Sequence, residues 1–340
     1  MTRPPTPGLV ADEPPSPFRQ RLPWIGGDLQ TVRNYLVRPP ASPGGLPATR
    51  IEIPMKDGTG DRLVAMLDRP EAPVGDRSLV VLIHGLTGCQ DSFYILNSAR
   101  FWLDRGHGVL RLNLRGAGPS RGICSEQYHA GRSSDVAAAL ASIDPEWTEA
   151  GILAIGYSLG GNVLLKHLGE KGRQSRVRFA ASVSAPIDLA ASALRFHRVR
   201  NRPYERWLLS RMKAEATAAA ASLSAGERRA IGRARSVREF DDVHVAPRNG
   251  FDGVGDYYAR CSAKGFLAGV EVPTLLLQAR DDPWIPAAPY DAIERSGNRH
   301  LTVLVSDRGG HVGFHSRGTS IPWHDRTIAA WMNRLSVEGR

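Results

Sequence analysis

The chain has 340 residues, 42% of them apolar and 23% charged, an ordinary balance for a globular protein with a large core. Its 44 basic against 34 acidic residues give a net charge of +10. The cations are mostly single arginines, with no Lys/Arg block or interleaved aromatic run of the kind a nucleic-acid groove needs, so no nucleic-acid partner is expected.

Residues 1 to 23 carry prolines at 4, 5, 7, 14, 15, 17 and 23, which removes backbone donors and predicts a mobile tail. No apolar h-region lies near the N-terminus, and no run approaches the roughly 18 apolar residues of a membrane span. The cysteines Cys89, Cys124 and Cys261 are widely spaced and odd in number, which argues against a disulfide framework. Together these features predict a soluble cytoplasmic protein.

From 51 to 70, two short alternating runs flank Asp57-Gly58, which is a hairpin signal. Compact apolar runs then recur: LVVLI at 79–83, VLRLNL at 109–114, ILAI at 152–155, FAASVS at 179–184, TLLLQA at 274–279 and LTVLV at 301–305. Runs apolar on both faces suit strands covered by helices on either side. Helical spacing appears between them at 93–104, 133–143, 159–169 and 323–335. The alternation predicts an α/β fold: one domain over 24–340 with a mostly parallel central sheet and helices on both faces. The span from about 187 to 255 interrupts it. A structureless loop of that length is improbable, so a helical insertion over one sheet edge is expected.

Two stretches fit the pattern G-x-S-x-G: GPSRG at 118–122 and GYSLG at 156–160. Such a match arises by chance on the order of one time in ten in a chain this rich in glycine, so context must decide. A nucleophilic serine of this type sits on a strained turn between a buried strand and a helix. Ser158 has ILAI before it and an amphipathic stretch after it. Ser120 follows Pro119 and precedes no helical pattern until about 133, which reads as a loop.

Serine needs a base, and the base an orienting carboxylate; with this elbow the chain order is serine, acid, histidine, each after a later strand. Asp281 and Asp282 end one strand and His311 follows the next in a glycine-rich loop. The run Asp282-x-x-Ile-Pro has the usual shape of the acid turn and favours Asp282. The oxyanion donors expected are the backbone N–H groups of Leu159, next to the nucleophile, and Leu86, in the loop after LVVLI. His84 is expected to orient that loop. No His/Cys spacing suggests a metal, and no cofactor is called for.

Taken together, GGDLQT (26–31), HGLTG (84–88), LNLRGAGPS (112–120), GYSLGGN (156–162), SAPIDL (184–189), GDYYARCS (255–262), PTLLLQARDDPWIP (273–286) and GGHVGF (309–314) resemble the YheT-like branch of the α/β-hydrolase superfamily, grouped as AB-hydrolase family 4. The resemblance implies a Ser158, Asp282, His311 triad and carboxylesterase or lipid acyl hydrolase activity on a small-molecule acyl ester. The same triad also serves thioesterases and acyltransferases, and a non-catalytic ligand-binding member of the fold is the reading from another class. Two positions depart from relatives: Asp28, where a histidine is common, and Thr87, where an acidic residue is common.

The insertion would form a cap. In it, Trp207 and Met212 lie among Arg195, Arg198, Arg200, Arg202, Arg206 and Arg211. Such a lid could cover an acyl chain and touch an anionic head group or a membrane surface; the alternative is a solvated basic face. Tyr257 and Tyr258 are expected to pack in the core rather than touch substrate.

Overall fold

A computed structural model describes residues 17–37, 42–71, 77–218, 223–294 and 297–338. Of the proline-rich stretch, residues 1–16 lie outside the described residues. The expected tail is too long at its far end. Phe18 packs edge-on against Phe314 and Trp323, with ring centroids 5.8 and 5.7 Å away, and Arg21 N–H donates to His315 O at 3.1 Å. An aromatic side chain with a place to be buried anchors the chain despite the neighbouring prolines.

Eight strands form one sheet: β1 (Thr49–Pro54), β2 (Arg62–Asp68), β3 (Leu79–Ile83), β4 (Val109–Leu112), β5 (Ile152–Tyr157), β6 (Val177–Val183), β7 (Thr274–Ala279) and β8 (Leu301–Ser306). Their order is β1-β2-β4-β3-β5-β6-β7-β8. The hairpin β1–β2 is antiparallel and β2 runs antiparallel to β4; every other pairing is parallel. The five residues of β3 are all buried and alternate between two cores: Leu79, Val81 and Ile83 face one, Val80 and Leu82 the other. This is the physical reason the central strands read as continuous apolar runs.

Helices cover both faces. The first, α1 (Gly26–Leu36), was not anticipated from periodicity, because its buried residues are the polar Gln30 and Thr31. Then come α2 (Phe93–Leu103), α3 (Ser133–Ser142) and α4 (Leu159–Lys171). Between β6 and β7 the chain forms α5 (Leu189–Phe196), α6 (Arg202–Thr217), α7 (Ala225–Arg233), α8 (Val237–Phe240), α9 (Ala246–Arg248) and α10 (Val254–Cys261), with a π turn over Asp241–Val245 joining α8 to α9. Finally α11 (Ala288–Glu294) precedes β8 and α12 (Trp323–Glu338) follows it. Among the described residues no helix is long and apolar enough to cross a membrane.

Ser120 lies in a 3-10 turn over Gly118–Ile123, fully buried, and its Oγ accepts the Val64 N–H at 2.8 Å. That contact pins the loop after β4 to β2. Removing the acceptor strands a buried amide, at a cost of about 1–3 kcal/mol. Ser120→Ala should therefore lower unfolding free energy by about that amount in denaturant titration.

Candidate active site

Four strand ends converge at the carboxyl edge of the sheet: β3 leads into residues 84–88, β5 into Ser158, β7 into Asp281 and Asp282, and β8 into the loop carrying His311. Ligands of open α/β sheets bind at this edge. Ser158 sits between β5 and α4 with φ 50° and ψ −122°, a conformation that non-glycine residues rarely adopt. Its amide donates to Val183 O at 2.8 Å, which ties the strained residue to β6. Two glycines make the turn possible. A Cβ on Gly156 would lie 2.6 Å from Gly160 O, and one on Gly160 would lie 2.4 Å from His84 O. The same turn aims the positive end of the α4 dipole at the space beside Ser158 Oγ.

The structure brings Ser158, His311 and Asp282 together. Ser158 Oγ is 2.9 Å from His311 Nε2, and His311 Nδ1 is 2.8 Å from Asp282 Oδ2. Asp282 is fully buried, and its other oxygen accepts the Trp284 and Ile285 amides at 2.7 and 2.9 Å. A carboxylate so loaded fixes the imidazole with its proton on Nδ1, leaving Nε2 to accept from the serine. The indole of Trp284 lies against the His311 ring, centroids 4.4 Å apart.

Asp281 points elsewhere. Its Oδ1 accepts the Gly310 N–H at 2.9 Å, so it braces the loop that carries His311; burial raises its carboxyl above the ordinary range. The helix α1 grips the same loop from the other side. Thr31 Oγ1 accepts the His311 N–H at 2.8 Å, and Gln30 exchanges bonds with the His315 backbone, donating at 3.2 Å and accepting at 2.7 Å. Gln30 and Thr31 are thus a clamp on the loop from His311 to His315. Its signal was visible in the sequence as part of GGDLQT, but a polar helix face gives no hydrophobic periodicity to read.

The loop after β3 is held on three sides. His84 is fully buried and Leu114 N–H donates to its Nε2 at 3.1 Å, so the ring proton lies on Nδ1, which donates to Gly85 O at 2.8 Å. Burial lowers its pKa to about 4, which keeps it neutral and orienting. Gly85 N–H donates to Tyr94 Oη at 2.8 Å, and Thr87 N–H to Tyr128 Oη at 2.7 Å. The amides of Leu86 and Leu159 have no acceptor among the described residues, and both residues line the same cavity as Ser158.

That cavity, of about 140 Å³, runs from the Ser158–His311 pair beneath the insertion. Leu189, Phe196, Leu208, Met212, Val237 and Phe240 supply an apolar wall. Tyr257 and Tyr258 are buried, as a core reading requires, and they also line the cavity. Helix α10 presents this face to the cavity because its opposite face meets solvent. Sequence reasoning also missed two acids on the cavity wall, Glu215 and Asp241.

The insertion is fastened by some of its arginines. Arg195 donates to Asp282 O at 2.6 Å, Arg200 pairs with Asp28 at 2.6 Å, and Arg211 reaches Thr87 Oγ1 and O, each at 3.3 Å. Asp28 and Thr87 are therefore both anchors for the insertion. Tyr204 adds a second bond to Asp28 at 2.9 Å.

Residues 78–317 match the family described by the alpha/beta hydrolase fold. The chain is 30% identical over 291 residues to YheT of Escherichia coli, covering 83% of each. This chain belongs to the α/β-hydrolase family, in its YheT-like branch. It is also 27% identical to the medium-chain fatty acid ethyl ester synthase/esterase 2 of Saccharomyces cerevisiae, over 76% of this chain and 63% of that longer one. Among solved structures it resembles the Pyrococcus furiosus esterase Pf2001 with a TM-score of 0.58, at 18% identity and covering 88% of this chain and 97% of that one. At that identity the likeness is one of fold.

Asp241 gives a pH prediction. Burial raises its carboxyl from 3.8 to about 7, against a Tyr258 hydroxyl that donates to it at 2.7 Å. A carboxyl held protonated when folded binds a proton that the unfolded chain has already lost, so stability falls as pH rises from about 4 to about 7. Thermal unfolding of Asp241→Asn across that window should show a flatter slope than the parent chain.

Proposed function

We propose that this α/β hydrolase cleaves carboxylic esters through an acyl-enzyme formed on Ser158. The observation that carries the reading is the bonded chain from Ser158 Oγ through the His311 ring to Asp282, opening onto an apolar cavity. In the first half-reaction His311 Nε2 takes the Ser158 proton as Oγ attacks the ester carbonyl carbon. The charge that gathers on the carbonyl oxygen is met by the Leu86 and Leu159 N–H groups. Asp282 holds the Nδ1 proton and stabilises the imidazolium. Collapse breaks the bond to the alcohol oxygen, which leaves with the proton from His311. In the second half-reaction water attacks the acyl carbon, His311 again accepts and returns a proton, and the acid departs.

The helices between β6 and β7 act as the lid, and the apolar wall under α5, α6 and α8 receives the acyl chain. Acyl transfer to an alcohol uses the same steps with alcohol in place of water. The yeast relative, named for both synthesis and hydrolysis of fatty acid ethyl esters, favours keeping that as a second reading.

Ser158→Ala should abolish both hydrolysis of nitrophenyl esters and labelling by a fluorophosphonate; persistent labelling would place the nucleophile elsewhere. Asp282→Asn should lower kcat by about 10⁴-fold because the imidazole loses its correct tautomer, whereas Asp281→Asn should cost far less. A chain-length series of nitrophenyl esters should peak at medium or long acyl groups, and an optimum at acetyl would sink the assignment of the apolar wall.

The loop that supplies the Leu86 donor depends on a relay from the lid: Thr87 N–H to Tyr128 Oη, and Tyr128 O–H to Glu215 on α6 at 3.0 Å. Tyr128→Phe removes the acceptor beside that donor. It should lower kcat by roughly tenfold to a hundredfold with little change in KM, the pattern of a lost transition-state interaction.

A further inference from the structure

Eleven large hydrophobic side chains are exposed among the described residues, and eight of them fall in two short segments: Leu22, Ile25, Leu29, Tyr35 and Leu36 in and just before α1, and Leu194, Val199 and Trp207 at the start of the insertion. The helix α1 is turned inside out. It buries Gln30 and Thr31 against the His311 loop, so the opposite arc, Ile25, Leu29 and Leu36 at helical spacing, faces solvent; Leu36 is 67% exposed and Leu29 43%. The insertion continues this surface. Arg200 and Tyr204 hold Asp28 of α1, and the Tyr35 and Trp207 rings meet at 4.8 Å. Val199, next to Arg200, is 73% exposed. On the same stretch of the insertion, Arg198, Arg202 and Arg206 are exposed and without an ion-pair partner among the described residues. Tyr35 belongs both to this surface and to the wall of the cavity above Ser158, so the patch borders the cavity mouth.

We infer that this patch docks the protein onto an anionic lipid bilayer, with the apolar arc of α1 and Val199 entering the head-group boundary and the three arginines meeting lipid phosphates. Contiguous apolar surface of this kind marks an interaction site, and apolar insertion combined with cations is the pattern of interfacial binding. A second copy of the chain fits less well. Two such patches face to face would set the arginines of one against those of the other, and the nearby carboxylate, Asp28, is already paired. Docking in this orientation would open the cavity toward the lipid phase, where esters of long acyl chains reside. That consequence rests on the hydrolase reading; the docking itself does not.

The test uses the full chain carrying Ser158→Ala, so that lipid is bound but not consumed, and equimolar vesicles of phosphatidylcholine and phosphatidylglycerol beside vesicles of phosphatidylcholine alone. Co-sedimentation with the anionic vesicles should be strong and should fall as salt is raised, because screening shortens the reach of surface charges to about 10 Å at 0.1 M. Each arginine contributes roughly fivefold to the partition coefficient, so the triple change Arg198→Gln, Arg202→Gln, Arg206→Gln should weaken binding on the order of 100-fold. The pair Leu29→Ser, Leu36→Ser should weaken it as well. In the Ser158 background both sets should turn over a short soluble nitrophenyl ester at the parent rate, which shows that the fold and site are intact. If anionic vesicles are not bound, or both variant sets bind as the parent does, the proposal fails. A dimer in sedimentation velocity that Leu29→Ser, Leu36→Ser dissociates would overturn it in favour of an interface between copies. Lost ester turnover in the Ser158 parent, with vesicle binding retained, would reject the hydrolase reading and leave the docking standing.

Discussion

The site depends on a backbone constraint at Ser158. Holding a serine at φ 50° between a parallel strand and a helix costs on the order of 1–3 kcal/mol, and such strain persists only where the surroundings leave no alternative. Here they do: the Ser158 amide is bonded to β6, Gly156 and Gly160 let backbone approach where no side chain fits, and α4 begins at the next residue. The remaining non-glycine residues with positive φ among the described residues are Thr87, Ser184, Val312 and Phe314, and they lie at or beside the same edge of the sheet. Strain is thus concentrated where loops of four strands must bring side chains to one point. Ser184 shows how it is offset, since its Oγ accepts the Val312 N–H at 3.1 Å and joins two of the strained residues directly.

The loop carrying His311 is positioned by elements distant in sequence. Asp281 holds it through Gly310, Thr31 through the His311 amide, and Trp284 through the face of the ring. None of these three makes a contact with Ser158 Oγ, yet together they set where Nε2 lies. This explains why α1 has polar residues on its buried face, and why its apolar residues are left outward. The clamp on the histidine loop and the exposed apolar arc are two faces of one choice. A helix that spends its inward face on hydrogen bonds has no core in which to hide its leucines.

The insertion is tied to the same machinery. Arg195 lies on the carbonyl of Asp282, Arg211 on Thr87, and Glu215 reaches the Thr87 amide through Tyr128. Each of these ties ends at or next to a group that contacts the reacting centre in the proposed mechanism. Helix α6 is therefore hydrogen-bonded to the loop that carries Leu86, a link that a lid resting on apolar contacts alone would not have. The arginines divide accordingly: Arg195, Arg200 and Arg211 serve the fold, while Arg198, Arg202 and Arg206 face outward.

Much of this was legible in the residues. The six apolar runs became six strands, five of them buried because helices or neighbouring strands cover both faces, while β8 at the sheet edge is only half-buried; the hairpin at Asp57-Gly58 formed because the turn chemistry is local. The choice of Ser158 over Ser120 followed from what precedes and follows each, again a local property. Asp282 over Asp281 was readable only as a turn shape. What separates them physically is that the Trp284 and Ile285 amides converge on Asp282 while Gly310 claims Asp281. The helix α1, the double role of Tyr257 and Tyr258, the cavity-wall acids Glu215 and Asp241, and the sorting of the cap arginines were decided by tertiary structure alone. Periodicity reports which side of an element meets a core, but it carries no information about which partner from hundreds of residues away will meet a polar or charged side chain. The sequence by itself determined the α/β framework and the three residues at its edge; only the folded chain decided what holds them there and which surfaces are left to meet something else.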